Sequence, residues 1–134
     1  MKLIVCLDDN NGMLFNKRRQ SSDRVLRERV LTLTAGTRLW MNAYSKKQFS
    51  EDTDVLVDEQ FLKKAGQGEY CFAENADILS VADTIETLVV YRWNTTYPAD
   101  VWFPATLLDG KTPTYTADFA GYSHPRITEE IYEW

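Results

Sequence analysis

The stretch that decides the fold is KLIVCL at residues 2–7, which is followed at once by DDNNG at residues 8–12. An unbroken apolar run rich in Ile and Val, closed by a turn signal, predicts a short strand. Because the run lacks the polar alternation of a half-exposed strand, we expect it to lie in the middle of a sheet that is covered on both faces.

Helix and strand signals alternate over the rest of the chain. Ser21 and Ser22 are candidate N-caps with Asp23 in the first turn, and the apolar spacing that follows predicts an amphipathic helix to about Thr34. Further strands are predicted at residues 39–41, 69–73, 87–93 and 127–133. This order predicts an α/β fold with a mostly parallel central sheet, flanked by helices and ending in an antiparallel C-terminal edge.

The composition is that of one soluble globular domain spanning residues 1–134, with 44% hydrophobic and 26% charged residues. The first apolar run is far shorter than the about 20 residues of a membrane span, and it does not match a secretion signal. We therefore expect a cytosolic protein that starts at Met1. Two Cys and one His exclude a structural zinc site, and the acidic connector at residues 50–54 does not have calcium-loop spacing, so no metal is expected.

Positive charge is concentrated between Lys17 and Lys47. This segment holds nine Lys or Arg residues and two acids, a formal charge of +7, in a chain whose net charge is −5. Such polarity predicts a local anion site, whereas the net acidity argues against binding to nucleic acid or to an anionic membrane.

With these elements in order, the chain resembles a shortened dihydrofolate reductase. The resemblance rests on GM at residues 12–13, LWMN at 39–42, EYCF at 69–72, YPADVWFP at 97–104 and SH at 123–124. Asp23 falls where that family carries its substrate-binding, proton-delivering carboxylate. If the chain is an enzyme, the resemblance implies that Asp23 is its catalytic residue, which requires a carboxyl group with a raised pKa.

The chain departs from this family where the family binds NADPH. A Gly-Arg-x-Thr run is replaced by NAYS at residues 42–45, and a Gly-Gly pair is replaced by AEN at residues 73–75. Side chains at the second place would block the approach of the pyrophosphate, and Glu74 would put a negative charge beside it. We therefore expect a reductase-like fold that has lost its NADPH apparatus, and we assign no cofactor.

The leading interpretation is a domain that binds a small anionic or heterocyclic ligand beside the basic loop. Lys17, Arg18, Arg19 and Arg27 are the candidate cations, Asp23 would orient a polar edge, and Trp40 or Tyr44 would stack on a ring. The structural alternatives are solvated loop charges and, for Asp23, an acid that only stabilises the helix start.

Two other functions remain open at this point. One is an NAD(P)H-dependent reductase of a pterin or related heterocycle that binds its cofactor in an altered way. The other is an RNA-binding or ribonuclease-type accessory protein, which the acidic net charge disfavours. The single histidine, His124, is interpreted as a hairpin-turn residue rather than a ligand or a base.

Overall fold

The computed structural model describes residues 1–49 and 54–134, so most of the acidic connector lies outside the described residues. The strands are β1 (Lys2–Leu7), β2 (Gly12–Phe15), β3 (Arg18–Arg19), β4 (Leu39–Met41), β5 (Leu56–Val57), β6 (Tyr70–Phe72), β7 (Thr87–Arg92), β8 (Val101–Trp102), β9 (Tyr115–Phe119) and β10 (Ile127–Glu133). The helices are α1 (Arg24–Leu33), α2 (Ala43–Lys46), α3 (Phe61–Lys64) and two 3₁₀ helices (Leu79–Thr84 and Ala105–Leu108).

Seven strands form the main sheet, in the order β5-β4-β6-β1-β7-β10-β9. The neighbours from β5 to β7 are parallel, whereas β10 is antiparallel to both β7 and β9. The predicted sheet with its antiparallel C-terminal edge is therefore confirmed. As expected from its unbroken apolarity, β1 lies in the middle, with Leu3, Ile4 and Val5 fully buried.

Each face of this sheet has its own apolar core. On one face, Leu26 and Val30 of α1 pack with Ile4, Phe72 and Tyr91. On the other face, α3 and the first 3₁₀ helix cover alternate residues of β1 and β7. Burying a side chain such as Leu26 stabilises the fold by about 2 kcal/mol, which explains why α1 keeps a regular apolar stripe.

A second, antiparallel sheet has the strand order β3-β2-β8. The basic residues expected on a loop therefore lie on a hairpin, because β3 pairs with β2 through a tight turn. Asn16 and Lys17 form that turn in the left-handed backbone region, with φ of 50° and 62°.

Among the described helices, the longest has ten residues and none has the length and apolarity needed to cross a bilayer.

Candidate functional site

The carboxyl ends of the parallel strands form one edge of the main sheet, where open α/β sheets bind their ligands. Asp8 follows β1, Asn42 follows β4 and Glu74 follows β6 at this edge. All three side chains are buried. The hydrogen bonds and ion pairs of these three side chains determine which ligands this edge can bind.

Glu74 closes the middle of the edge by binding the β2–β3 hairpin. Its carboxylate accepts hydrogen bonds from Nε (2.8 Å) and Nη2 (3.1 Å) of Arg19 and from the hydroxyl of Ser45 (2.8 Å). The Arg19 guanidinium also lies over the Tyr44 ring at 4.5 Å, and the Tyr44 hydroxyl accepts the Arg19 backbone N–H at 2.8 Å. Glu74 is only 8% exposed, and its contacts with Arg19 and Ser45 lie beyond the carboxyl ends of β4 and β6.

The start of α2 has internal acceptors for its N–H groups. Asn42 Oδ1 accepts from the Ser45 N–H at 3.1 Å, and Glu59 accepts from the Ala43 N–H at 3.0 Å. Asn42 also donates to Asn75 at 2.6 Å across the edge. The adjacent cavity of 420 Å³ is lined by Glu59 and Asp77 against one cation, Lys63, so its charge opposes a phosphate.

Asp8 is a buried carboxylate that sequence reasoning treated only as part of a turn. It accepts hydrogen bonds from the N–H groups of Asn10, Gly12 and Tyr97 and from the Gln20 amide. Burial alone would raise the pKa of Asp8, but these four hydrogen bonds outweigh it and lower the pKa below its ordinary value. Asp8 therefore anchors the hairpin as an ionised acceptor.

Asp23 is the N-cap of α1, which corrects the prediction that Ser21 or Ser22 caps this helix. Its Oδ1 accepts from the N–H groups of Val25, Leu26 and Tyr122 at 2.9, 3.2 and 3.0 Å. Its Oδ2 accepts from the Ser123 N–H at 3.0 Å and contacts His124 Nδ1 at 2.7 Å. The carboxylate thus ties the helix start to the loop before β10.

These contacts fix the protonation of Asp23. Burial would raise its pKa, but hydrogen bonds from Tyr122, His124, Ser123 and Leu26 outweigh burial and hold the pKa well below its ordinary value. The raised pKa required for proton delivery is therefore absent, and the expectation of a catalytic acid at Asp23 is corrected on this point. The contacts match the structural alternative, an acid that stabilises the helix start.

Gly121 is the residue that leaves room for Asp23. A Cβ atom at this position would lie 2.6 Å from Asp23 Oδ2 and 3.0 Å from the His124 carbonyl oxygen. Gly121→Ala is therefore expected to lower the free energy of unfolding by about 1.5 kcal/mol through overpacking. Urea unfolding measures this loss, with Gly36→Ala as a comparison that tests backbone strain without a clash. An unchanged stability in Gly121→Ala would contradict this packing.

Lys17 and Arg18 are exposed on the β2–β3 hairpin and form no ion pair within the described residues. Beside them lies a cavity of 480 Å³ lined by Phe15, Arg18, Gln20, Tyr97 and other residues of the hairpin and the Pro98 turn. Gln20 Oε1 is buried and accepts no hydrogen bond within the described part of the chain. The cation Arg18 and the aromatic surfaces of Phe15 and Tyr97 thus line the same cavity.

The remaining predicted site residues do not line this cavity, apart from Arg19. Arg27 is half-buried in the first turn of α1, where its Nε has no partner among the described residues. Trp40 packs on the opposite sheet face from Asp23 and donates to Glu69 at 3.1 Å. Tyr44 is covered by Arg19. The expectation that Trp40 or Tyr44 stacks on a ring beside Asp23 is therefore corrected.

Three of the nine cations of the +7 segment form ion pairs with distant carboxylates. Arg19, Arg29 and Arg38 pair with carboxylates of Glu74, Glu129 and Glu69, which lie far along the chain. The pair of Arg29 and Glu129 is bidentate, and the buried Tyr91 hydroxyl donates to the same carboxylate at 2.7 Å. Of the four cations predicted to bind the ligand, only Lys17 and Arg18 are both exposed and outside any ion pair within the described residues.

The fold defined by this topology is that of the dihydrofolate reductases. The chain superimposes on dihydrofolate reductase from Enterococcus faecalis, solved with NADP(H) and RAB-propyl, with a TM-score of 0.68. The alignment covers 98% of this chain and 94% of the other at 13% sequence identity, so the likeness is one of fold. No protein-family profile and no curated protein sequence matches the chain.

Proposed function

We propose that this chain is a cytosolic small-ligand-binding domain that uses a reductase-like fold without NADPH. The observation that carries the proposal is the closure of the sheet edge by Glu74, which holds Arg19 and Ser45 beyond the carboxyl ends of β4 and β6. A dinucleotide would have to displace this ion pair and face the carboxylates of Glu59 and Asp77. Each displaced charge is costly, because removing one partner of a buried pair leaves the other unpaired.

The proposed ligand is a small heterocyclic anion held in the cavity beside the β2–β3 hairpin. Arg18 supplies charge-assisted hydrogen bonds to a carboxylate or phosphate, and Lys17 adds positive potential. Phe15, 42% exposed, and Tyr97 supply aromatic surface. Gln20 also lines this cavity and adds a polar side chain to its wall.

Binding is tested by titrating pterin-6-carboxylate, a heterocyclic anion with N–H donors, in an isothermal calorimeter. We expect saturable binding that weakens about 10-fold in Arg18→Ala, because a hydrogen bond to a charged group is worth about 1.5–3 kcal/mol. Lys47→Ala is the matched control, since Lys47 is exposed and outside the cavity. Equal affinity in Arg18→Ala and the wild type, or no binding of the wild type, would overturn the proposed site.

The cytosolic location rests on the thiols. Cys6 and Cys71 are free, and burial is the main cause that raises the pKa of both, that of Cys71 to about 12. Unpaired, unreactive thiols suit a reducing compartment. The reductase alternative requires an open dinucleotide site, and the RNA alternative is disfavoured by the net charge of −5. The ligand-binding proposal does not require an open dinucleotide site.

A further inference from the structure

We infer that Ser21, His124 and Asp23 form a nucleophilic serine site that hydrolyses small esters. Ser21 Oγ lies 2.8 Å from His124 Nε2, and His124 Nδ1 lies 2.7 Å from Asp23 Oδ2. A hydroxyl, an imidazole and a carboxylate joined in this order through the two different ring nitrogens are the parts of a Ser-His-Asp triad. These three residues would act whether or not the heterocyclic ligand proposed above binds.

Asp23 fixes the imidazole in the tautomer that the chemistry needs. Its side chain is fully buried and ionised, so it accepts a hydrogen bond from the Nδ1–H group and leaves Nε2 as the acceptor facing Ser21. The Ser123 hydroxyl is a more distant neighbour of Nδ1, at 3.2 Å. The Trp93 ring, 4.6 Å away and tilted by 30°, packs against the imidazole and restrains its plane.

The imidazole of the proposed triad borders a cavity, and Ser21 is half-buried beside it. His124 and Tyr97 line a cavity of 430 Å³ together with Trp93, Asn94 and Arg126, and Tyr97 also lines the hairpin cavity that includes Gln20, the neighbour of Ser21. The Tyr97 hydroxyl lies 3.4 Å from the same Nε2 and is placed to donate to a developing oxyanion. Aromatic walls and this volume suit a small aryl ester.

The reaction proceeds in two balanced steps. The Ser21 oxygen attacks the ester carbonyl carbon while its proton passes to His124 Nε2, and the alcohol leaves with that proton, which forms an acyl-serine. Water then attacks the acyl carbon, gives a proton to Nε2, and that proton returns to the Ser21 oxygen as the acid leaves. No oxidant or metal takes part.

The test combines p-nitrophenyl acetate turnover with labelling of the intact protein by a fluorophosphonate, mapped by peptide mass spectrometry. We expect the label on Ser21, with labelling and turnover lost in Ser21→Ala and lowered about 100-fold in His124→Gln through loss of the base. Ser22→Ala is the matched control, because Ser22 is exposed and adjacent. It should behave as the wild type.

Circular dichroism of each variant separates chemistry from folding. If His124→Gln does not fold, the mapped label on wild-type Ser21 and its loss in a folded Ser21→Ala protein carry the inference alone. A wild-type protein that takes up no label under conditions that modify a known serine esterase would overturn it. So would a label on any other residue, or turnover that Ser21→Ala leaves unchanged.

Discussion

Asp23→Ala is expected to lower the free energy of unfolding by about 3 kcal/mol, because one carboxylate serves both the helix start and the loop before β10. The variant removes the N-cap of α1 and leaves the N–H groups of Tyr122 and Ser123 without their acceptor. Urea unfolding followed by circular dichroism measures the loss. Asp83→Ala, which removes an exposed acid, is the control and should change stability by less than about 0.5 kcal/mol.

The same carboxylate gives stability a defined pH dependence. The pKa of Asp23 is lower in the folded protein than in the unfolded chain, so its contribution is present above the unfolded value, near 3.8, and is lost as the pH falls through the folded value. The wild type should therefore lose stability steeply below about pH 4. Asp23→Asn, which cannot titrate, should give a shallower acid limb. Identical slopes in the two proteins would contradict the hydrogen bonding described for Asp23.

Glu74→Ala is also expected to have a large effect, lowering the free energy of unfolding by about 2.5 kcal/mol. The substitution leaves the Arg19 guanidinium, whose side chain is 24% exposed, without its carboxylate and removes the acceptor of the buried Ser45 hydroxyl. The partial exposure of Arg19 keeps the loss below that of a fully buried pair. Hydrogen exchange of the β2–β3 hairpin amides should also accelerate, because Glu74 holds this hairpin to the sheet edge.

A double-mutant cycle isolates the contribution of the pair. If Arg19 and Glu74 stabilise each other, Arg19→Ala should lower the free energy of unfolding much less in the Glu74→Ala background than in the wild type. Glu28→Ala is the control, because Glu28 forms only an exposed pair with Arg24 at 3.8 Å. Additive losses from Arg19→Ala and Glu74→Ala would mean that the hairpin does not close the edge through this pair.

The order of the elements could be predicted because each leaves a local pattern. The unbroken apolar run of β1 indicated a central strand, and the spacing of Leu26 and Val30 indicated a helix packed on one face. The replacement of a Gly-Gly pair by residues that include Glu74 is the sequence basis of the proposal that the phosphate site is blocked. The structure adds how Glu74 is held there, which the sequence did not contain.

The composition of the site could not be predicted, because its contacts join residues that are distant in the chain. Arg19 and Glu74 are 55 residues apart, and His124 lies 101 residues from Asp23. A charge count over the segment from Lys17 to Lys47 therefore exaggerated the free positive charge. It could not show which arginines are neutralised by glutamates of later strands.

For the same reason, the contacts of His124 with Ser21 and Asp23 could not be predicted. As the single histidine before a proline, it carried no spacing signal of its own. Only the packing of the loop before β10 against the start of α1 brings His124 beside Asp23 and Ser21. The only sequence signal for this cluster is a combination of three features. Ser21 lies two positions before Asp23 at the helix start, and the chain has a single histidine, His124.

The central claim, a dihydrofolate reductase fold that does not use NADPH, is tested most directly by titrating the protein with NADPH. Tryptophan fluorescence reports binding, and the absorbance of the reduced nicotinamide reports turnover with dihydropterin substrates. We expect no saturable change up to about 1 mM, the upper end of ordinary Michaelis constants, and no consumption of NADPH. Saturation in the micromolar range that NADP⁺ reverses by competition, or oxidation of NADPH that depends on the protein, would contradict the claim.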